Sequence, residues 1–330
     1  MSEKILVIGS NSFSGAHFVD HALAENAAVV AMSRSPEPIS PFLPYKKNPR
    51  LSALSFFQLD MNEHLDRMMT IIEDFQPHYV VNFASQSMVA ESWAKPEDWF
   101  QTNVVGQVKF HDRLRKLKSL KKYVHISTPE VYGSCSGNVK EDASYNPSTP
   151  YAVSRAAADL SLMSFFRNYN FPVVFTRAAN VYGPGQQLYR IVPRTILFGK
   201  LGKTLPLHGG GASVRSFIHI KDVCEGTLKV MRSAQAGEIF HLSTKRQISI
   251  LQLVEMLTEM MGIRFEDLVE NAKERPGKDA AYLLDSTKAM TQLSWRDQVS
   301  LEEGLRQTIS WVDENFEALK KQPMGYEHKK

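Results

Sequence analysis

The segment KILVIGSNSFSGAHFVDHALAEN, residues 4–26, decides the fold. It begins with a short, mostly apolar run from Lys4 to Ile8 that is typical of a buried strand, followed by a turn with a glycine at each end, residues 9–15. The residues after the turn repeat their apolar positions with the period of a helix. A second apolar run from Ala27 to Ser33 completes the strand, helix, strand unit from which parallel sheets are built.

The same alternation continues through the first half of the chain. The predicted strands lie in residues 53–60, 78–85, 122–128 and 171–177, and the predicted helices in residues 63–75, 96–117 and 151–168. Helices between successive apolar strands predict an α/β fold with a doubly wound parallel sheet, the Rossmann arrangement.

Beyond Asn180 the pattern loosens into Gly/Pro turns and short strands, with helices predicted at residues 250–261 and 301–316. This half is typical of a smaller α/β lobe interleaved with the first. We therefore expect a Rossmann domain that carries the catalytic residues over residues 1–180, and a C-terminal lobe that mainly binds substrate over residues 181–330, with an approximate boundary.

Charge and cysteine content exclude several classes of protein. The 39 Lys and Arg residues exceed the 35 Asp and Glu residues by only 4, and much of the excess lies in KKQPMGYEHKK, residues 320–330, which we interpret as a solvated tail rather than a nucleic-acid surface. No segment approaches the about 20 consecutive apolar residues of a bilayer helix. Cys135 and Cys224 fit neither a disulfide framework nor a zinc site, so we predict a cytoplasmic protein without a metal.

The first turn has the composition of a dinucleotide site. Glycine lets the backbone approach a pyrophosphate, whose charge then lies against the amides at the start of a helix. Gly9 and Gly15 flank Ser12, which occupies the position of the usual middle glycine. Because the turn lies between the first strand and an amphipathic helix, it predicts dinucleotide binding rather than a purely structural turn.

Two strand ends bear on which dinucleotide binds. An acidic residue at the end of the second strand would accept hydrogen bonds from the ribose of NAD, whereas this chain has Ser33 and Arg34, which suit the ribose phosphate of NADP. Arg34 could equally be a solvated loop residue, so the cofactor is NAD or NADP, with NADP favoured. Asp60, at the end of the third strand, either meets the adenine edge or caps a helix.

A hydroxyl, a tyrosine and a cation are predicted to converge near the middle of the chain. STPEVYGS, residues 127–134, ends a strand, and PYAVSRAAADL, residues 150–160, opens a helix that places Tyr151 and Arg155 on one face. The cation and a positive nicotinamide ring both favour the tyrosine phenolate, which makes it usable for proton transfer. A tyrosine at a helix start alone is more often a packing residue.

In combination these features resemble the extended short-chain dehydrogenase/reductase superfamily and, within it, the nucleotide-sugar 4,6-dehydratases. The resemblance covers nearly the whole chain. Its further motifs are NFASQSMV (82–89), TNVVGQ (102–107), RAANVYGPGQQLYRIVP (177–193), GGGASVRSFIHIKDV (209–223) and RPGKDAAYLLD (275–285). It implies a lyase that acts on a nucleotide-diphosphate sugar.

The resemblance also implies the catalytic roles. Thr128 binds the 4-hydroxyl of the sugar, Tyr151 takes its proton, and hydride leaves carbon 4 for the nicotinamide. Glu130 removes the proton at carbon 5 before the 6-hydroxyl is lost and hydride returns to carbon 6. Arg155 polarises Tyr151 and binds the nicotinamide ribose.

Binding residues follow from the same resemblance. The implied cofactor-binding residues are Gly9, Asn11, Ser12, Phe13, Gly15, Ser33, Arg34, Asp60, Met61, Phe83, Ala84, Ser85, Tyr151 and Arg155. The implied substrate-binding residues are Ser87, Asn180, Arg190, Arg215 and Arg275, with the arginines on the diphosphate. The helices at 96–117 and 151–168 resemble those that form a homodimer in this superfamily, so we expect a homodimer; the alternative is that their apolar residues only face the sheet.

Three departures from the family pattern keep other functions open. Pro129 replaces an aspartate that serves as the acid, Arg155 replaces a lysine, and Ser12 replaces a glycine. Without the acid, a 4-epimerase or a nucleotide-uronate decarboxylase is the alternative, although Glu130 favours proton chemistry next to a ketone unless it only caps a loop. The three departures together also fit a non-catalytic nucleotide-binding protein.

Overall fold

The computed structural model describes residues 2–135, 137–273 and 283–329. Its strands are β1 Lys4–Ile8, β2 Ala28–Ser33, β3 Leu54–Gln58, β4 Tyr79–Asn82, β5 Lys122–Ile126, β6 Asn138–Val139, β7 Val173–Ala178, β8 Asn180–Tyr182, β9 Leu205–His208, β10 Val214–Arg215, β11 Phe217–His219, β12 Ile239–Leu242, β13 Ile248–Ser249, β14 Val269–Ala272 and β15 Leu283–Leu284. Its α-helices are α1 Phe13–Ala24, α2 Leu65–Phe75, α3 Pro96–Phe100, α4 Gln107–Leu114, α5 Pro150–Tyr169, α6 Ile191–Leu201, α7 Ile220–Ser233, α8 Ile250–Met261, α9 Phe265–Leu268, α10 Thr287–Gln292 and α11 Leu301–Leu319.

A seven-stranded sheet of order β12-β7-β5-β4-β1-β2-β3 forms the centre of the molecule. Every neighbouring pair in it is parallel. Apolar side chains of α1 and α7 pack against one face, and those of α2, α4 and α5 pack against the other. Strands buried on both faces carry continuous apolar runs, which is why the sequence revealed them. The predicted doubly wound Rossmann fold is confirmed.

The chain returns to this sheet after residue 180. Helix α7 packs on the sheet, and β12 pairs with β7 from Ile239 opposite Phe175 to Leu242 opposite Ala178. The remaining C-terminal elements form a smaller lobe in which α6, α8 and α11 surround a second apolar core that includes Ile196, Leu253 and Leu305. The two parts are interleaved, and a boundary near residue 180 stays a prediction.

The predicted helix over 96–117 runs without interruption from Pro96 to Leu114, but its middle is not α-helical. Helix α3 is followed by a π-helical segment, Gln101–Gly106, before α4 begins. Asn103 in this segment is fully buried, and its side chain bonds both backbone groups of Gln86 and the hydroxyl of Ser154. A π turn inserts a residue into the helix and is common near functional sites. Here it accompanies a polar link between the helix, α5 and the loop after β4.

Within the described ranges, no helix has an apolar stretch long enough to cross a bilayer.

Candidate active site

The first turn is closed by the side chain of Ser12. Its hydroxyl donates to Gly9 O at 2.7 Å and accepts from Gly15 N at 3.1 Å, which caps α1. Gly9 has φ +77°, and a Cβ there would lie 2.6 Å from the backbone nitrogen of Ala84. The turn therefore needs glycine at position 9, and Ser12 replaces the missing glycine with hydrogen bonds of its own.

Residues that were predicted to lie near the adenosine of the cofactor form hydrogen bonds between the turn after β1 and the end of β2. Asn11 N donates to the hydroxyl of Ser33 at 3.4 Å, and Asn11 Nδ2 donates to Ser35 O at 2.8 Å. Asp60 Oδ1 accepts from Asn62 N at 2.7 Å in the turn before α2, whose N-cap is His64, so Asp60 does not cap that helix, while Met61 is buried in the core under the sheet. Cofactor contacts by these residues stay predictions.

A cleft of about 680 Å³ lies between the turn and the C-terminal lobe. The predicted site residues that line it are Ser12, Phe13, Phe83, Ser85, Ser87, Thr128, Glu130, Tyr151, Arg155, Asn180, Arg190 and Arg215. Those that do not line it are Gly9, Asn11, Gly15, Ser33, Arg34, Asp60, Met61 and Ala84. Arg275 lies outside the described residues. The cleft thus brings together every catalytic residue that the sequence predicted.

Local capping places the hydroxyl and the tyrosine. Thr128 caps a single 3₁₀ turn, Pro129–Tyr132, by accepting from Glu130 N at 3.3 Å. Thr149 caps α5 in the same way through Ala152 N at 3.1 Å, so Tyr151 stands in its first turn. Proline is favoured at the first position of a helical turn because its missing N–H has no partner there in any case. Pro129 therefore has a structural role at the start of this turn, although it stands where the family has its acidic aspartate.

Burial dominates the ionisation of Tyr151. It raises the pKa of the phenol above its ordinary value, and the nearby Glu130 carboxylate raises it further. The Arg155 guanidinium and the hydrogen bond with Thr128 lower the pKa of Tyr151, but they do not offset burial. The predicted effect of Arg155 has the correct sign, and without a bound cation such as a nicotinamide the phenol stays protonated at neutral pH.

Arg155 is anchored to β5 beneath the cleft. Its Nη2 donates to the carbonyl oxygen of Ile126 and lies 3.3 Å from Nε2 of His125. Burial, together with the guanidinium groups of Arg155 and Arg177, lowers the pKa of His125 well below its usual value. His125 is therefore neutral and can accept a hydrogen bond from Arg155.

A buried polar cluster continues from His125. Asp159 bonds Arg177 at 2.9 Å and the hydroxyl of Ser127 at 2.6 Å, and it lies 3.4 Å from His125. Sequence reasoning missed this cluster. The available signal was an ionisable residue within or at the end of a predicted buried strand, His125 in KYVHIST and Arg177 in FPVVFTR.

The interpretation of residues 320–330 as a solvated tail is wrong for most of its length. Met324 packs on the C-terminal lobe, and His328 pairs with Asp98 at 2.7 Å on the Rossmann domain. The segment therefore lies against both lobes.

Known proteins with similar sequences belong to the class that the site residues predict. Residues 6–308 match the family model described as GDP-mannose 4,6-dehydratase. The dTDP-glucose 4,6-dehydratase of Streptomyces antibioticus is 32% identical over 98% of this chain and 97% of its own length.

Two solved structures show the same architecture. The dTDP-glucose 4,6-dehydratase of Streptomyces venezuelae, solved with NAD bound, has a TM-score of 0.87 at 31% identity and covers 96% of this chain and 98% of its own. The UDP-glucuronic acid 4-epimerase of Bacillus cereus, solved with UDP-glucuronic acid and NAD, has a TM-score of 0.84 at 28% identity and covers 94% of this chain and 99% of its own.

The Rossmann sheet, the closed first turn and the Thr128, Tyr151, Arg155 group define an extended short-chain dehydrogenase/reductase. Within that superfamily the chain belongs to the GDP-mannose 4,6-dehydratase family. The predicted class, the nucleotide-sugar 4,6-dehydratases, is confirmed.

Proposed function

We propose that this protein is an NDP-sugar 4,6-dehydratase. The observation that carries the proposal is that Glu130 and Tyr151 line one cleft and interact electrostatically, since the carboxylate raises the pKa of the phenol. Dehydration and 4-epimerisation both need a base for the 4-hydroxyl, but only dehydration also needs a group, here a carboxylate, for the proton at the neighbouring carbon 5.

The residues at the first turn fit a nicotinamide dinucleotide. A side chain at position 9 would meet the backbone of Ala84, so glycine lets the turn pack closely against the loop after β4, and the amides at the start of α1 suit a pyrophosphate. When bound, the nicotinamide supplies a hydride acceptor at carbon 4 and a hydride donor at carbon 6. The Ser33 and Arg34 pair supports NADP over NAD as the finer assignment.

The chain's own groups then move protons. Thr128 holds the 4-hydroxyl while Tyr151 removes its proton, and Arg155 stabilises the phenolate that accepts it. The resulting ketone acidifies carbon 5, whose proton passes to Glu130. Because Pro129 has no proton to give, we assign the donor role to Glu130 itself: it passes its new proton to the departing 6-hydroxyl, which leaves as water, and returns to a carboxylate. Once carbon 6 is reduced, carbon 5 takes up a proton from solvent, and Tyr151 releases the proton of the 4-hydroxyl to solvent, so that the protons balance.

Arginines of the C-terminal lobe support a diphosphate-linked substrate. Arg190 and Arg215 both line the cleft, and Arg190 also acts on Tyr151. Guanidinium groups suit phosphate oxygens through paired hydrogen bonds. With Arg275 outside the described residues, its role stays a prediction from the sequence.

Incubation with dTDP-, UDP- and GDP-hexoses, followed by NMR of the products, tests the proposal. A 4-keto-6-deoxy sugar from one of them is expected. Pro129 and the similarity to the UDP-glucuronic acid 4-epimerase favour a 4-epimerase as the second candidate, which would yield only a sugar inverted at carbon 4. Carbon dioxide from a nucleotide-uronate would identify a decarboxylase. Tight dinucleotide binding without any product would identify a non-catalytic protein.

We also propose a homodimer formed through α5 and the helical segment 96–114. Large apolar side chains are exposed on both, namely Phe100, Val105, Val153 and Leu160, the last with 60% of its surface accessible. Exposed apolar residues on adjoining helices indicate an interface. Sedimentation should give a dimer that Leu160→Glu converts to a monomer. The cytoplasmic location stays a prediction from the cysteine content.

A further inference from the structure

The C-terminal segment, residues 322–329, follows α11 and has neither helix nor strand of its own. Its even-numbered side chains, Gln322, Met324, Tyr326 and His328, are half-buried, and the odd-numbered ones from 323 to 329 are exposed. A period of two is the signature of extended backbone with one face against a surface. The segment is therefore seated on the protein rather than solvated on all sides.

Its first half is attached to the C-terminal lobe. Met324 packs against the apolar clusters of that lobe and lies 3.8 Å from the Lys203 amine. The ring of Tyr326 meets that of Tyr189 edge to face, with centroids 5.6 Å apart. Tyr189 lines the cleft.

Its second half is attached to the Rossmann domain. His328 Nε2 lies 2.7 Å from Asp98 Oδ2, and its ring stacks on that of Trp99 at 4.9 Å. Gln86 Nε2 donates to Lys329 O at 2.6 Å. Gln86 directly follows Phe83, Ala84 and Ser85, which are predicted to contact the cofactor.

Between these two anchors, Tyr326 contacts Tyr189, a residue of the cleft wall. Its ionisation is affected by Glu91 and Arg190, which line the cleft, and by Arg34, which is predicted to meet the ribose phosphate of the cofactor. One side chain thus lies among groups of the cofactor side and of the substrate side. The segment thus joins a residue of the cleft wall on the C-terminal lobe to the loop after β4 on the Rossmann domain.

We propose that residues 322–329 form a strap that closes the dinucleotide side of the cleft and slows release of the bound nicotinamide dinucleotide, with His328 and Asp98 as its latch. The inference rests on the proposed function. In an internal redox cycle the dinucleotide regains its starting state in every turnover, so it has no need to leave, and an element that retains it does not limit the rate.

Three variants test the strap: a protein ending at Lys321, His328→Ala, and the control Glu327→Ala, whose side chain is on the exposed face. NADH and NADPH serve as fluorescent probes, and their dissociation is followed in a stopped-flow chase with excess oxidised dinucleotide. Calorimetry with dTDP and UDP measures the substrate side separately. Circular dichroism establishes that each variant is folded.

The shortened protein should release the dinucleotide at least about tenfold faster, and His328→Ala should show a smaller increase, because interface changes act mainly on dissociation. Glu327→Ala and the nucleotide affinities should match the full-length protein. Unchanged dinucleotide release from a folded His328→Ala protein and the shortened protein would overturn the strap, as would weaker binding of dTDP or UDP with unchanged dinucleotide release. If the full-length protein binds neither NADH nor NADPH, the proposed function fails, and the inference fails with it.

Discussion

The Arg155 guanidinium lies 3.3 Å from the imidazole of His125, so the cation that acts on Tyr151 is held by a neutral, buried ring on β5. A planar guanidinium can bond the Ile126 carbonyl and His125 while it faces the phenol, whereas a lysine amine at this position would be a single flexible charge. The arginine that replaces the family's lysine at position 155 therefore has hydrogen-bond partners on β5 that suit a guanidinium.

Arg155→Met should raise the pKa of Tyr151 further, because Arg155 is the main group that opposes burial. The rate depends on the phenolate, so the rising limb of the pH-rate profile should move to higher pH. The rate at neutral pH should fall about tenfold for every pH unit by which that limb moves. Arg155→Lys keeps the positive charge and should recover part of the lost rate, but not all of it, because an amine cannot reproduce the guanidinium contacts with Ile126 and His125. A Met variant with an unchanged profile would show that Arg155 does not act on the phenol.

Glu130→Gln should separate oxidation from elimination. Proton removal at carbon 5 should slow by about 10²- to 10⁴-fold, while oxidation at carbon 4 persists, so reduced nicotinamide should accumulate and be visible by its absorbance. Glu91→Gln, a glutamate of the same cleft, is the control and should retain activity. Normal dehydration by Glu130→Gln would remove this residue from the mechanism.

Arg34→Ala should weaken NADP far more than NAD. A guanidinium bonded to a phosphate contributes roughly 1.5–3 kcal/mol, which is at least about tenfold in affinity. Calorimetric titration of both dinucleotides measures the difference. If the variant lost affinity equally for NAD and NADP, Arg34 would be an ordinary loop residue, and the proposed preference for NADP would have no physical basis.

Stability should fall below neutral pH, in part because of His219. Burial lowers the pKa of His219 to about 4, so between the unfolded value of 6.5 and about 4 the unfolded chain takes up a proton that the folded chain does not. The free energy of unfolding then declines by up to about 3 kcal/mol from this group.

His219→Asn is the matched variant for that prediction. His219 Nδ1 accepts from Lys221 N at the start of α7, and asparagine can take over this cap without titrating. The variant should be less stable at pH 7, because a buried ring is lost, but its unfolding free energy should depend less on pH. Urea unfolding across that pH range measures both, and an unaltered slope would contradict the assignment.

The sequence predicted the parts of the fold that local physics controls. Continuous apolar runs revealed the buried parallel strands, and the spacing of Tyr151 and Arg155 revealed their shared helix face. The π turn at Gln101–Gly106 stayed hidden because one inserted residue leaves the neighbouring helical periods intact. The role of His125 stayed hidden because its partners are distant in sequence.

The strap, residues 322–329, could not be predicted from the sequence for a different reason. Met324, Tyr326 and His328 alternate with exposed residues, but three positions among several charges are too few for a periodicity argument. Its anchors, Tyr189 and Asp98, are far away in the chain, so only the folded arrangement of the two lobes reveals them.

The most direct test of the central claim is to follow deuterium from carbon 4 of the hexose in the nucleotide sugar that the enzyme accepts. In ordinary water the product should be a 4-keto-6-deoxy sugar with the deuterium at carbon 6 and a solvent proton at carbon 5, and Tyr151→Phe should abolish its formation. Deuterium that stays at carbon 4, or a product formed equally well by Tyr151→Phe, would contradict the account.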